Sequence, residues 1–150
     1  MDLMNKYPRL TDLEVPAARR IPKFVFAYLD SGTGHDRAKD ENRAFLDSIE
    51  LTPQFMRGRV NPDLTTKLGK KTFKAPFGAA PIGLSSLIWP GAESIIGRTA
   101  KKHGFPYTLS TVAGESIEMI AESAGEMGWF QLYAPRDRDL MRDLLRRAKS

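Results

Sequence analysis

The chain contains no cysteine among its 150 residues. That excludes disulfides and cysteine-ligated metals and fits a reducing compartment. It also lacks a long apolar run. The longest, Ala75 to Trp89, is broken by prolines, glycines and serines, and it is shorter than the ~20 residues a membrane helix needs. The start, MDLMNKYPRL, has no apolar core of the kind a signal peptide carries. The net charge is +5 and the pI about 9.6, but no basic run is interleaved with aromatics. The charge therefore reads as a solvated surface rather than a nucleic-acid footprint. Gly32-Thr33-Gly34 is half a dinucleotide fingerprint, and it follows a helical pattern rather than a strand, which excludes that use.

What is present is ordinary globular material, 41% hydrophobic and 27% charged, long enough for a domain with a real core. Residues 1–75 read as a helical lead-in with a small hairpin. Thr11 suits an N-cap before Asp12-Leu13-Glu14. Pro22 suits the first turn of a second helix that carries Phe24, Val25, Tyr28 and Leu29 on one side, and Gly32 and Gly34 stop it. A third helix spans about Asp36 to Asp47 and is expected to bury Ala38, Phe45 and Ile49. The stretch Leu68 to Phe73 reads as the hairpin.

Residues 76–150 repeat a strand-then-helix pattern three times. The strands are Phe77 to Ala80, Tyr107 to Leu109 and Trp129 to Leu132. The helices are about Gly91 to His103, with Ala92, Ile95, Ile96 and Ala100 on one face, then Glu115 to Ala124, then Asp137 to Lys149. Glu93 near the start of the first of these helices, and Lys101, Lys102 and His103 at its end, match the helix dipole. Such a pattern argues for parallel strands covered by helices. Three units do not close a barrel and leave the last strand as an open edge. The sequence is therefore expected to be the front part of a larger α/β enzyme.

In parallel α/β folds, ligands bind beyond the carboxyl ends of the strands. Those ends are followed by Pro81–Ser86, Ser110–Gly114 and Gln131–Pro135. Pro81-Ile82-Gly83 offers extended backbone with a glycine permitting close approach. Ser110 and Thr111 offer hydroxyls, Gln131 an amide and Tyr133 a phenol. These are the groups a polar, planar ligand would need. They also suit ordinary loops, where a buried glutamine and tyrosine satisfy each other.

Five segments carry a family resemblance: Tyr28-Leu29-Asp30-Ser31-Gly32, Glu41-Asn42-Arg43-Ala44-Phe45, Ala80-Pro81-Ile82-Gly83-Leu84, Leu109-Ser110-Thr111-Val112 and Phe130-Gln131-Leu132-Tyr133. In this order the chain resembles the FMN-dependent α-hydroxy acid dehydrogenases and oxidases. The resemblance implies a (β/α)8 barrel, which takes ~250 residues, so the chain would supply the helical lead-in and three of its eight units. It implies FMN as cofactor and oxidation of an L-2-hydroxy acid, L-lactate above others, to the 2-oxo acid.

The same resemblance implies the roles of single residues. Tyr28 matches a tyrosine that binds the substrate carboxylate, and Tyr133 a second active-site tyrosine facing the substrate, with a catalytic part. Ala80, Pro81, Ile82 and Gly83 match backbone lying against the flavin ring; Ser110 and Gln131 match flavin-binding polar groups. Gly83, where oxidases tend to have alanine, resembles the dehydrogenase branch, with a quinone or other carrier as electron acceptor. Val112 stands where glycolate oxidase has a tryptophan, which speaks against a glycolate pocket.

The family's catalytic histidine, substrate-clamping arginines and flavin-side lysine have no counterpart in these residues. His35, in a polar loop, and His103, ending a helix, are not substitutes. No metal and no nucleic acid is implied. The intact protein is expected in the cytoplasm, as a homo-oligomer, a tetramer in many relatives, with peripheral attachment to the inner face of the membrane left open. Two other readings stay open. One is a non-catalytic half-barrel that binds a partner or itself through its open strand edge. The other is a flavin barrel of the isopentenyl diphosphate isomerase type, against which the tyrosine-bearing segments speak.

Overall fold

The computed structural model describes residues 3–149. Met1 and Asp2, at the head of the polar start, and Ser150, the end of the expected third unit, lie outside the described residues. Contacts divide the chain into two compact units, one ending at Pro62 and one beginning at Asp63. The hairpin thus belongs with the strand–helix repeats. Among the described residues no helix is long and apolar enough to cross a membrane.

The first unit is helical: α1 (Leu3–Lys6), a 3-10 turn (Leu10–Leu13), α2 (Glu14–Arg20), α3 (Lys23–Asp30) and α4 (Arg37–Asp47). Thr11 is not the expected N-cap; it lies inside the 3-10 turn. The cap comes from Asp12, whose carboxylate accepts the Arg9 backbone N–H at 3.0 Å and the Arg9 guanidinium at 2.8 Å. Pro22 stands at the N-cap position just before α3 rather than within its first turn, and of that helix only Val25 is fully buried. The expected burial along α4 does not occur. Ala38 is exposed, and so are Phe45 and Ile49. On its surface Arg37 pairs with Glu41 at 2.7 Å and Arg43 with Asp47 at 2.6 Å, both one turn apart, each a small contribution.

The second unit opens with the hairpin. Strands β1 (Thr66–Leu68) and β2 (Lys71–Phe73) pair antiparallel, with Thr66 opposite Phe73. Helices α5 (Ser85–Ile88) and α6 (Ala92–His103), strand β3 (Tyr107–Leu109), helix α7 (Ile117–Ala124), a 3-10 turn (Gly125–Met127), strand β4 (Gly128–Phe130) and helix α8 (Arg138–Arg147) follow. β3 and β4 are parallel, with Tyr107 opposite Gly128 and Leu109 opposite Phe130.

The expected first strand is reduced to one parallel bridge, Ala79 to Tyr107. Ala79 donates to the Pro106 carbonyl at 2.8 Å and accepts from the Thr108 N–H at 3.0 Å. Neighbouring residues explain the shortness. Gly78 lies so close to Pro106 that a Cβ there would meet its ring at 2.7 Å and its carbonyl oxygen at 2.8 Å. Beyond Ala80, Pro81 has no N–H with which to continue a ladder. The third strand is also displaced, covering Gly128–Phe130 rather than Trp129 to Leu132, although the Gln131 N–H still reaches the Leu109 carbonyl at 2.9 Å.

β3 therefore runs between the Ala79 segment and β4. Tyr107 and Leu109, two residues apart and so on one face, pack with Ala100 of α6 and Ile120 and Ala124 of α7 into the buried core. The fully buried residues of α6 are Glu93, Gly97 and Ala100. Of the expected face, Ala100 is buried and Ile96 packs against the core, but Ile95 is turned outward. Gly97 lets α6 approach α7 closely: a Cβ at 97 would sit 3.3 Å from that of Ala124. α6 ends as expected at Gly104.

The hairpin caps the amino ends of the parallel strands. Lys74 donates its backbone N–H to the Gly104 carbonyl at 2.8 Å, just before β3, and Lys71 Nζ reaches the Glu126 carbonyl at 2.7 Å, just before β4. The Phe73 ring meets Trp129 edge-on at 6.1 Å.

α8 starts one residue later than expected, with Asp137 capping its first turn by accepting the Asp139 and Leu140 N–H groups at 2.8 and 3.1 Å. It is tied to α7 by a two-pronged ion pair, Arg147 Nε and Nη2 to the Glu118 carboxylate at 2.6 and 2.9 Å. Arg147 holds the Glu118 carboxyl down at about 2, against an ordinary value of 4.5. Because the folded-state value is depressed, the pair contributes fully above 4.5 and its contribution is lost as the pH falls from there through about 2. Both partners are solvent-accessible, so the effect is small. The difference in melting temperature between the parent chain and Glu118→Gln is expected to be constant near neutral pH and to close across that acid window. A pH series of thermal melts checks it.

Candidate functional site

Three connections leave the carboxyl ends of the parallel segments, after Ala80, Leu109 and Phe130. The fold joins the last two through side chains. Ser110, only 4% exposed, is the buried polar residue at the end of β3. Its hydroxyl donates to Gln131 Oε1 at 3.2 Å and accepts the Val112 N–H at 3.3 Å. With its oxygen engaged, Gln131 is left with amide N–H donors to offer a ligand. Ser110 and Gln131, each expected as a separate polar group, form a hydrogen-bonded pair. The tyrosine is not part of it: the Tyr133 side chain is exposed.

Thr111 behaves differently from the hydroxyl expected to greet a ligand. It donates to the Gln131 carbonyl and accepts the Tyr133 N–H at 2.9 Å. Both of its roles are used within the protein, so it stitches the second connection to the third and fixes the backbone that carries Tyr133.

The first connection, Ala80 to Ser86, is extended and then folds into α5. Ala80, Pro81 and Ile82 are exposed, and Gly83 is partly buried. Leu84 has φ +54°, in the left-handed region, where a leucine is held only if its surroundings impose it. Two bonds contribute to that. Leu84 donates its N–H to the Val112 carbonyl at 3.1 Å, and the buried Ser85 donates its hydroxyl to the Ile82 carbonyl at 3.3 Å. All three connections are thus linked to one another. Tyr28 lies on α3 in the first unit, 50% exposed.

Behind these connections lies a residue that the sequence reading credited only with a dipole role. Glu93, in the first turn of α6, is 0% exposed. Its Oε1 accepts the N–H of Ser86 at 3.1 Å and of Gly114 at 2.9 Å, and its Oε2 accepts the Ser86 hydroxyl. Burial alone pushes its carboxyl up, but hydrogen bonds from Ser86, Gly114, its own backbone and Ser85 together outweigh this and hold it below the ordinary value. A glutamate in a first helical turn is common at the surface, and nothing in the local pattern marks this one as buried. Close by, burial pushes the Tyr107 phenol up to about 12, with Glu93 and Glu115 adding to the effect.

His35 and His103 are both exposed. Among the described residues no group of three or more histidine, aspartate or glutamate side chains is placed to hold a metal ion. A concavity of about 580 Å³ between α6 and α7, lined by Ser94, Arg98, Lys101, Met119 and Ser123 among others, is on the helical side and includes none of the candidate residues.

The model of the family described as FMN-dependent dehydrogenase matches residues 17–150. The chain is 36% identical over 140 residues to an L-lactate dehydrogenase of Ectopseudomonas mendocina (strain ymp), covering 93% of this chain and 37% of that protein. Among solved structures it is similar to a mandelate oxidase, with TM-score 0.84 and 32% identity over 95% of this chain and 41% of the other. It is also similar to a soluble mutant of the membrane-associated (S)-mandelate dehydrogenase from Pseudomonas putida, with TM-score 0.82 and 28% identity, covering 93% and 40%. The chain spans 37% of the length of the curated relatives it matches.

Proposed function

Since the chain belongs to the FMN-dependent dehydrogenase family, we propose that it forms part of a (β/α)8 barrel enzyme that oxidises an L-2-hydroxy acid, L-lactate in the first place, to the 2-oxo acid. The observation that carries the reading is the linked set of connections at the strand ends, with Ser110 and Gln131 hydrogen-bonded at its centre. Curated relatives named as L-lactate dehydrogenases support lactate as the substrate.

The residues present fit FMN. A flavin is planar, with apolar faces and a polar edge. The exposed backbone of Ala80, Pro81 and Ile82, with Gly83 allowing close approach, suits the face, and the N–H donors of Gln131 beside the Ser110 hydroxyl suit the edge. When bound, FMN supplies the two-electron acceptor that no side chain provides. The protein's share is to bind, orient and exclude water. Tyr28 would bind the substrate carboxylate through its phenol. Tyr133, with its backbone fixed by Thr111, would place a second phenol toward the substrate. Among the described residues both histidines are exposed and lie outside the connections, so neither is placed to take the proton from the substrate hydroxyl. We assign that step to residues beyond this chain.

We further propose a dehydrogenase rather than an oxidase, on Gly83, with a quinone or other carrier accepting the electrons. We also propose a cytoplasmic setting, with which the absence of cysteine accords, and an intact protein that is a homo-oligomer.

The test is an absorption spectrum of the purified protein after incubation with FMN and desalting, then addition of L-lactate without oxygen, then admission of air. Retained flavin that bleaches with lactate and recolours only slowly in air is expected of an enzyme carrying its full set of residues. Retained flavin that lactate does not bleach points to another 2-hydroxy acid or to missing catalytic groups, which adding the remaining barrel units would distinguish. Rapid recolouring would make it an oxidase, and no flavin even with the barrel completed would sink the reading.

A further inference from the structure

Two of the three ligand-facing connections are held together by one buried carboxylate. Glu93 receives three donors: the N–H and hydroxyl of Ser86, which follows directly on the Ala80–Ser85 stretch, and the N–H of Gly114, which closes the Ser110–Gly114 connection. The partners lie 7 and 21 residues away in the chain. A fully buried carboxylate is tolerated only when donors satisfy its oxygens, and here both oxygens are used. The approach is close by design of the sequence. A Cβ at Gly114 would lie 2.6 Å from the Cβ of Ser86 and 3.0 Å from its hydroxyl oxygen, so only glycine lets the two connections meet. Between them the Leu84 N–H to Val112 carbonyl bond forms, and Leu84 is kept at its unfavourable φ of +54°.

We propose that Glu93 is a positioning residue: its buried carboxylate locks the Ala80–Ser86 and Ser110–Gly114 connections into one body and so sets where Gly83 stands relative to the Ser110–Gln131 pair. The locking itself is independent of the flavin reading. Its consequence for flavin rests on that reading.

Amide hydrogen exchange on the purified protein, with FMN affinity followed by quenching of flavin fluorescence, separates the two. In Glu93→Ala the amides of Ser86 and Gly114 are expected to exchange about tenfold faster or more, as a lost charge-assisted bond implies, while those of Thr108 and Gln131, within the parallel pairing, keep their protection. FMN binding weakens in step. Glu93→Gln keeps an oxygen that accepts both N–H groups, so it is expected to restore both readouts nearly to the parent. A merely structural, space-filling role would not be rescued with this selectivity.

Should Glu93→Ala not fold, Ser86→Ala removes only the hydroxyl bond; faster exchange at Gly114, 28 positions away in the chain, is then the expected sign of coupling. Unchanged exchange at Gly114 in both variants would overturn the proposal. A protein that binds no FMN even with the remaining barrel units added would overturn the flavin reading alone, and exchange at these two amides would still decide the role of Glu93.

Discussion

Gly78→Ala is expected to detach the Ala79 segment from β3. The added methyl would fall 2.7 Å from the Pro106 ring and 2.8 Å from the Pro106 carbonyl oxygen. A ring and a peptide group cannot swing aside as the end of a long side chain can. The backbone must give way, and with it the pair of bonds from Ala79 to Pro106 and Thr108. Overpacking of this kind costs about 1–3 kcal/mol. The cost falls on the one bridge that fixes the start of the Ala80–Gly83 stretch, so two readouts should move together. Urea unfolding should show a lower midpoint, and flavin affinity should drop by more than the loss of stability alone would cause. Gly78→Ala with an unchanged midpoint would mean that the segment is not held where it is described.

Leu109→Ala is expected to have the larger effect on stability. Leu109 is 2% exposed and packs in the core with Tyr107, Ala100, Ile120 and Ala124. Truncating such a leucine costs about 2–5 kcal/mol, set against a total of about 5–15 for an ordinary domain. The variant should therefore lose a large share of its stability, and chemical denaturation with an unchanged m-value would locate the loss in the folded state. The residue also stands directly before Ser110, and its carbonyl receives the Gln131 N–H at 2.9 Å. A cavity beneath it loosens the polar pair from below. FMN binding by this variant is expected to weaken even at temperatures where circular dichroism shows the native fold.

The helices, the hairpin and the parallel order were legible because each rests on neighbours in sequence: glycine at 104, aspartate at 137, alternating side chains in Tyr107 to Leu109. Ser110 and Gln131 were legible because position at a strand end is itself a local property. What escaped depends on partners far along the chain. Glu93 carries the same local signal as any first-turn glutamate, and only the arrival of Gly114, 21 residues later, buries it. On α6 the expected Ala100 and Ile96 do face the core, but Gly97 escaped because it contributes nothing to a hydrophobic pattern, although it is the point of close approach to α7. The first strand was overestimated because apolar residues suggested pairing that Gly78 and Pro81 limit to a single bridge. On α4 the apolar residues suggested burial, yet Ala38, Phe45 and Ile49 are exposed. Tyr28 and Tyr133 were singled out through family likeness rather than pattern; Tyr133 is oriented by the Thr111 hydroxyl, a link between residues 22 apart.

The hairpin binds the second unit at the amino ends of its strands, through Lys74 to Gly104, Lys71 to Glu126 and Phe73 against Trp129. The candidate ligand groups sit at the opposite ends. Robustness and chemistry are thereby placed at different poles of the same strands. Substitutions along residues 66–73 can raise or lower the melting temperature with little influence on what is bound, and changes in the three connections can redirect binding while the base of the sheet stays intact. A lineage carrying this arrangement can gain tolerance to heat and change its substrate by separate mutational routes, neither of which has to wait for the other.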